Sequence, residues 1–400
     1  SGNIWAIKEG SVVFPNEPLI RIEADTVEAL LLEGLILNMI NFQTLIATKT
    51  ARIWLASKKG AIMEFGLRRA QGNDGAMSAT RAAYIGGAFG TSNSLAAKEL
   101  GIPALGTMAH SWIMSFKNEE DAFQAYADMY PDNSIFLIDT YDTLRSGIVN
   151  AIKVGKRLQE KGKNFGVRLD SGDIYYLSKD VRKRLDEAGC PTAKISVSNE
   201  LTEEIVESLV QNNAPIDSWG VGTHMVTGGN EASLTGVYKM AARKSLGETE
   251  WTPVMKFSDN PAKMTNPACK QVWRLYNPDG TFKADVLTLE NEKIEEGVEQ
   301  TFYHPANDYQ NFTFTPTKVQ ALLEKRIENG KAVGKAPSLK EIKAYAEKQL
   351  DSLDYTSKRL LNPHIYKVSL SEKMRDLKQK PIKNKPVANT FFLCFIKLSL

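Results

Sequence analysis

Phe165-Gly166-Val167-Arg168-Leu169-Asp170 runs directly into Ser171-Gly172-Asp173, so an apolar, strand-like stretch ends in charge, hydroxyl and glycine. Three other segments share that layout: Gly106-Thr107-Met108-Ala109-His110-Ser111, Val197-Ser198-Asn199 and Gly220-Val221-Gly222-Thr223. Each closes a strand-like run and precedes a helix-like one. A βα barrel presents chemistry in this way, with a rigid strand core and a site built at the carboxyl ends of the strands.

Working outward, the pattern strand, polar tip, helix recurs from about residue 60. Strands are expected at 61–66, 103–107, 134–139, 165–170, 194–198 and 218–223, with helical stretches at 77–100 and from 139 to about 161. Successive tips lie roughly 25–30 residues apart, the length of one βα unit. Alternation of this kind implies a parallel sheet, closed or doubly wound. Closure fits better, because nearly every strand carries a polar tip, whereas a doubly wound sheet gathers its site at one switch point.

The flanks differ. Residues 1–25 alternate and carry turn signals, so they read as short strands. Val27, Leu30, Leu31, Leu35, Leu37, Ile40 and Leu45 mark a long apolar helix over 26–52, expected to be buried core. Short strands punctuated by Pro, Asn, Gly and Asp occupy 250–315 and can return to the sheet begun by 1–25. Lys-rich helices are expected near 317–330 and 338–351, and a charged linker over 377–386. The resulting division is 1–58 (part of an N-terminal domain and the buried helix), 59–245 (catalytic barrel), 246–385 (return to the first domain, then C-terminal helices) and 386–400 (atypical tail).

Composition narrows the function classes. Fifty basic and 47 acidic residues leave a net charge of +3, too balanced to imply nucleic-acid binding by field alone. Three distant cysteines (Cys190, Cys269, Cys394) suggest neither a disulfide framework nor a zinc knuckle, and favour a reducing, cytoplasmic setting. No membrane-spanning segment is expected. The apolar end Phe391 to Leu400 is too short to cross a bilayer, which takes roughly 20 residues. The chain opens on Ser1 inside a strand-like run, so an N-terminal segment is expected to be missing.

The candidate site residues follow from residue chemistry. His110, at a tip with Thr107 and Ser111 nearby, offers an imidazole that acts as base, nucleophile or phosphoryl acceptor near neutral pH; the alternative is a structural histidine. Arg168 and Asp170 lie two apart and point to one side of a strand. They suit a carboxylate or phosphate and a ribose hydroxyl or Mg²⁺-bound water, respectively, or else pair as a structural salt bridge. Gly220-Val221-Gly222-Thr223 lets the backbone approach an anion, with Ser198 and Asn199 at the neighbouring tip. Phe65 is either a ring-stacking platform or core, and Arg68 either an anion contact or a surface residue. Asp139 and Asp142 are spaced differently from the phosphoribosyl-diphosphate loop of doubly wound transferases, and take a secondary role at their tip.

Six ordered segments carry a resemblance: 64–75 (EFGLRRAQGNDG), 83–94 (AYIGGAFGTSNS), 106–116 (GTMAHSWIMSF), 131–147 (PDNSIFLIDTYDTLRSG), 167–173 (VRLDSGD) and 219–238. Together they resemble the nicotinate phosphoribosyltransferase family from about residue 3 to 375. The resemblance implies an irregular α/β barrel with a second, smaller α+β domain built from both chain ends, working as a homodimer with a shared active site. It implies formation of nicotinate mononucleotide and diphosphate from nicotinate and 5-phosphoribosyl 1-diphosphate in NAD salvage, with Mg²⁺ and ATP hydrolysis. It makes His110 a phosphohistidine and Asp170 the ribose-side acid. Thr107 and Arg168 become nicotinate contacts, Phe65 the stacking ring, Arg68 an anion contact, and Ser198, Asn199, Gly222 and Thr223 the 5-phosphate pocket. Family members also carry a preceding segment whose Tyr stacks on nicotinate from the partner subunit, and the C-terminal tail does not match. The alternatives are a nicotinamide phosphoribosyltransferase, which needs an acid that residues 79–94 do not contain, and a truncated, non-catalytic dimerising relative.

Overall fold

Alternation in the first 25 residues produces two antiparallel strands, β1 (Asn3–Ile7) and β2 (Pro18–Asp25), followed by helix α1 (Thr26–Ala56). The structure is a computed structural model that describes residues 2–256, 264–307, 309–380 and 390–399. Its contacts divide into two units, one of residues 1–44 with 233–400, the other of residues 45–232. The unit built from both chain ends therefore takes more of the chain than the barrel unit, although the smaller share was expected. The expected barrel ran to residue 245, whereas the strand at 235–245 belongs to the two-ended unit.

Helix α1 departs from the buried core expected of it. Leu45, Ile46, Ile53 and Trp54 are buried, but Val27, Leu30, Leu31, Leu35 and Met39 are half or more exposed. By length and composition alone α1 could cross a membrane, a candidate the sequence reading did not raise. Its C-terminal half is part of the barrel unit, where Lys49 and Arg52 both pair with Glu203, at 2.8 and 2.9 Å.

The barrel unit holds six strands: β3 (Ala61–Glu64), β4 (Gly90–Thr91), β5 (Ser134–Leu137), β6 (Phe165–Leu169), β7 (Lys194–Ser198) and β8 (Ser218–Val221). All pair in parallel in the order β4-β3-β8-β7-β6-β5. The first strand thus lies beside the last, which curls the sheet into a barrel. Its irregularity lies between β4 and β5. Residues 103–107, expected as a strand, make one isolated bridge, Ala104 to Thr91. The expected helix over 77–100 is two helices, Gly72–Ile85 and Ser94–Leu100, with β4 between them. Gly87 enforces the break: its φ is +123°, and an added Cβ would sit 2.8 Å from the Trp54 ring.

Helices cover the strands through apolar faces at helical spacing. In Ile148–Glu160 the buried residues are Ile148, Ala151, Val154, Gly155 and Leu158. Gly155 lets this helix lie against the Phe165 ring, which a Cβ would approach to 2.3 Å. Asp173 accepts from the Tyr176 N–H at 3.0 Å and so starts Ile174–Glu187 immediately after the β6 tip.

The two-ended unit contains β9 (Thr235–Ser245), β10 (Thr252–Pro253), β11 (Lys270–Tyr276), β12 (Phe282–Leu289), β13 (Gln300–Tyr303), β14 (Asn311–Phe314), β15 (Lys318–Ala321), β16 (Leu323–Glu328), β17 (Lys331–Ala332), β18 (Val368–Leu370) and β19 (Thr390–Ser399). One sheet runs β10-β9-β19-β2-β1-β16-β17, so the chain ends do share a sheet; the other runs β14-β13-β18-β12-β11-β15. The Lys-rich stretch 317–330 is strand where helix was expected, because β15 pairs with β11 and β16 with β1. Helix Leu339–Ser352 matches the second Lys-rich stretch. The supposed linker begins inside a helix, Glu372–Gln379, and its part from 381 lies outside the described residues. Within the stretch 250–315, where short strands were expected, residues 254–256 are not strand and 257–263 lie outside the described residues.

Over its described residues, 390–399, the atypical tail is an inner strand. β19 lies between β9 and β2, antiparallel to both. Phe395 packs with Ala241, Val272 and Leu323, while Cys394 and Ile396 pack with Ile22, Ala29 and Tyr238. At residues 394–396 both faces are buried, which fits the apolar sequence there.

A buried ionic cluster anchors the same unit. Arg274, fully buried, donates through Nε and Nη2 to the two oxygens of Asp285 at 2.9 and 2.6 Å, and also to Gln349 and the Val12 carbonyl. Burial opposes the Arg274 charge, but Asp285 outweighs it and holds the guanidinium above its ordinary range. Glu17 beside them has one oxygen accepting from the Phe14 N–H at 3.1 Å and the other, Oε1, buried with no hydrogen-bond partner. Burial, then the neighbouring Asp285 charge, pushes the Glu17 carboxyl well above its usual range. The stability that Glu17 contributes is thus complete below the unfolded value of about 4.3 and lost as pH rises through the folded value. Glu17→Gln mimics the protonated acid, so wild type and variant should unfold alike at low pH, with the variant increasingly the more stable at higher pH. Denaturant midpoints measured across pH check this; parallel curves would count against it.

Candidate active site

The carboxyl tips of β5 and β6 and the open stretch around 107–110 gather the polar residues. Arg168, near the end of β6, donates through Nη1 to the Thr107 hydroxyl. Asp170, one residue beyond the strand, accepts from the Ser198 hydroxyl at 2.5 Å through Oδ1. Its Oδ2 lies 3.6 Å from His110 Nε2. The other ring nitrogen of His110 meets the Thr140 hydroxyl at 3.1 Å, which orients the ring with Nε2 toward the Asp170 carboxylate. The His110 side chain is 41% exposed, open to a ligand.

Phe65 and the glycine tip adjoin this group. The Phe65 ring rests on Gly220, where a Cβ would come within 2.6 Å of the ring and 3.1 Å of Ser198 Cβ. Gly222 faces the Phe65 carbonyl, 3.3 Å from where a Cβ would stand. Glycine at 220 makes room for the Phe65 ring, and glycine at 222 lets the β8 tip run close to the Phe65–Gly66 backbone. Glu64, almost fully buried, fixes the base of Phe65: it accepts from the Gly66 N–H and from the Thr80 and Thr91 hydroxyls, at 3.0 and 2.5 Å for the latter two.

Burial lowers the pKa of Arg168, and the carboxylates of Asp170 and Asp139 partly offset this, whereas Arg68 adds like charge. Arg168 Nε is buried with no hydrogen-bond partner. A guanidinium desolvated, partly neutralised and incompletely bonded is prepared for an added anion.

Not every expected residue joins this constellation through a bond. Arg68 is exposed on the turn Leu67–Arg69, close enough to Arg168 to be felt as charge. Asn199 is exposed with φ +149°, a backbone region that side chains rarely adopt. Thr223 directs its hydroxyl to Glu200 at 3.3 Å and opens the short helix Thr223–Val226. His110, Asp170, Thr107, Arg168, Ser198, Phe65 and Gly222 are brought together. Sequence reading gave no role to Thr140 or Glu64, and only a secondary one to Asp139 and Asp142. Asp139 holds the Asp170 N–H and the Ser171 hydroxyl at 3.0 and 2.5 Å; Asp142 accepts from the Leu144 and Arg145 N–H groups at 3.1 and 2.8 Å. The available signal was position: Asp139 follows its apolar strand just as Asp170 follows β6.

The chain resembles known proteins over most of its length. Residues 61–305 match the model of the nicotinate phosphoribosyltransferase (NAPRTase) family, and residues 269–378 that of a nicotinate phosphoribosyltransferase C-terminal domain. The nicotinate phosphoribosyltransferase of Bacillus subtilis is 41% identical over 369 residues, which is 92% of this chain and 75% of that protein. That of Dictyostelium discoideum is 35% identical, over 94% of this chain and 72% of that protein. The crystal structure of human nicotinic acid phosphoribosyltransferase superposes with a TM-score of 0.80 at 29% identity, covering 94% of this chain and 82% of that one. Nicotinate-nucleotide pyrophosphorylase from Pyrococcus furiosus gives 0.70 at 27% identity, over 88% and 81%. Fold, motif order and sequence similarity agree that the chain belongs to the nicotinate phosphoribosyltransferase family.

Proposed function

We propose that this chain joins nicotinate to 5-phosphoribosyl 1-diphosphate, giving nicotinate mononucleotide and diphosphate in NAD salvage. The observation that carries the reading is the half-buried Arg168, tied to Thr107, on the same strand tip as Asp170, whose carboxylate faces His110. Arg168 and Thr107 would hold the pyridine carboxylate, and Phe65 would stack on the ring. The pyridine nitrogen then attacks the anomeric carbon as the bond from that carbon to diphosphate breaks. Fixing those two atoms in line is the main contribution of such a site. Asp170 would hold a ribose hydroxyl and face the positive charge that develops on the sugar. Ser198, Asn199, Gly222 and Thr223 lie at neighbouring tips suited to the 5-phosphate.

Mg²⁺ fits the donor set, since Asp139 and Asp170 supply hard carboxylate oxygens and Asp139 Oδ1 is buried without a protein donor. A bound Mg²⁺ would offset charge on the diphosphate. ATP hydrolysis coupled through phosphorylation of His110 is part of the proposal, supported by a partly exposed imidazole oriented by Thr140 with Asp170 nearby. So are a homodimer sharing its active site and a cytoplasmic location, which the three buried, unpaired cysteines fit. His110→Ala is expected to remove the stimulation of nicotinate mononucleotide formation by ATP while leaving a slow basal rate. Steady-state assays with and without ATP measure this; an unchanged ATP effect overturns the phosphohistidine. The same assay with nicotinamide in place of nicotinate, and on wild type for any turnover at all, separates the amide-using and non-catalytic alternatives.

A further inference from the structure

We infer that the β5 tip, Asp139-Thr140, is a positioning clamp that sets the separation of His110 and Asp170. The two residues are adjacent, and each holds one member of the pair. Thr140 Oγ1 meets His110 Nδ1 at 3.1 Å. Asp139 Oδ2 accepts from the Asp170 N–H at 3.0 Å and from the Ser171 hydroxyl at 2.5 Å. These bonds span two neighbouring strand tips, 31 residues apart in sequence for Asp139 and Asp170. The base beneath them is rigid: the Ile138 N–H donates to the Arg168 carbonyl at 3.1 Å, which extends the β5–β6 pairing up to the clamp.

Stability alone gives a poor account of Asp139. The residue is half-buried, but its Oδ1 is buried with no hydrogen-bond partner, and an unpaired buried polar atom costs free energy. What the carboxylate secures is direction. With the 170–171 turn tied down, Asp170 keeps one oxygen toward Ser198 and the other toward His110. Asp139 and Thr140 therefore act through Asp170 and His110. The kinetic part of this inference rests on the proposed phosphoribosyl transfer; the structural part does not.

The test uses the full chain with Asp139→Asn, Asp139→Ala, Thr140→Val and Asp170→Asn, singly, plus Asp139→Ala combined with Asp170→Asn. Asparagine keeps an acceptor for the Asp170 N–H, so it should retain most of the turnover that Asp139→Ala loses. A misplacement of about 1 Å can cost about 100-fold, and kcat of Asp139→Ala should fall by about that much, with the KM for nicotinate moving far less. At saturating Mg²⁺, where any direct role of Asp139 in holding the ion is masked, adding Asp139→Ala to Asp170→Asn should cost little more, because a residue that acts through another loses that effect once the other is gone. Independently of any reaction, amide exchange over 170–172 should quicken in Asp139→Ala while β7 keeps its protection. Unchanged exchange at 170–172, losses that multiply in the double variant, or an effect confined to the Mg²⁺ requirement would each overturn the clamp. If wild type makes no nicotinate mononucleotide, the functional reading fails and the exchange measurement still decides the inference.

Discussion

Arg168→Ala is expected to reduce kcat/KM for nicotinate by about 100- to 1,000-fold, the largest loss of activity from any single side chain described. Truncating one partner of a buried, charge-assisted contact costs about 2–5 kcal/mol, and each 1.4 kcal/mol is tenfold in rate or affinity. Arg168 is desolvated, bonded to Thr107 through one nitrogen and free at buried Nε, so it has donors to give a carboxylate. Removing it also leaves Asp139 and Asp170 without the cation that faces them. Lysine should restore only part of the loss, because it offers a point charge where a planar fork is needed. The effect should be specific: nicotinamide, which lacks the carboxylate, should lose far less. Steady-state kinetics on both pyridines measure it, and an equal loss for the two would assign Arg168 to a phosphate.

How far the site could be read in advance depended on how far each residue's role was local. Arg168 and Asp170 were legible as charged groups gathered at a strand end, since the motif closes β6. His110 and Thr107 were legible as chemistry but not as structure: their segment was expected to be a strand and is an irregular stretch with one bridge at Ala104. Thr140 and Glu64 were not legible, since their importance lies in partners 30 and 27 residues away, which sequence spacing does not reveal. In the fold, the βα cadence survived because each unit is a local pattern. The Lys-rich strands β15 and β16 misled because their burial is partial and their lysines lie at sheet positions that helical spacing also tolerates. The tail misled for the opposite reason: ten residues with no polar alternation suggest nothing until two strands are found on either side of them.

Asp285→Ala is expected to be the most damaging substitution for stability, lowering it by about 3–5 kcal/mol, the usual cost of stripping one partner from a buried ion pair. The cause is what remains. Arg274 would keep Gln349 and the Val12 carbonyl but lose both bonds to a carboxylate, leaving a full charge at a fully buried position with only the Glu17 carboxyl, which does not bond to it, nearby. Tyr366, whose hydroxyl donates to Asp285 at 3.0 Å, would lose its acceptor as well. Because Asp285 lies on β12 and Arg274 on β11, strands that face each other in register, the damage falls at the centre of the six-stranded sheet. A thermal midpoint lower by on the order of 10 °C follows for a unit of this size. The sharper test is the pair. Arg274→Met with Asp285→Leu removes both charges and fills similar volume, and a buried pair exchanged for apolar side chains is often close to neutral. The double variant should therefore recover most of what Asp285→Ala loses. If calorimetry or denaturant unfolding finds the double variant no better than the single, the penalty comes from lost packing, and the uncompensated guanidinium is not its source.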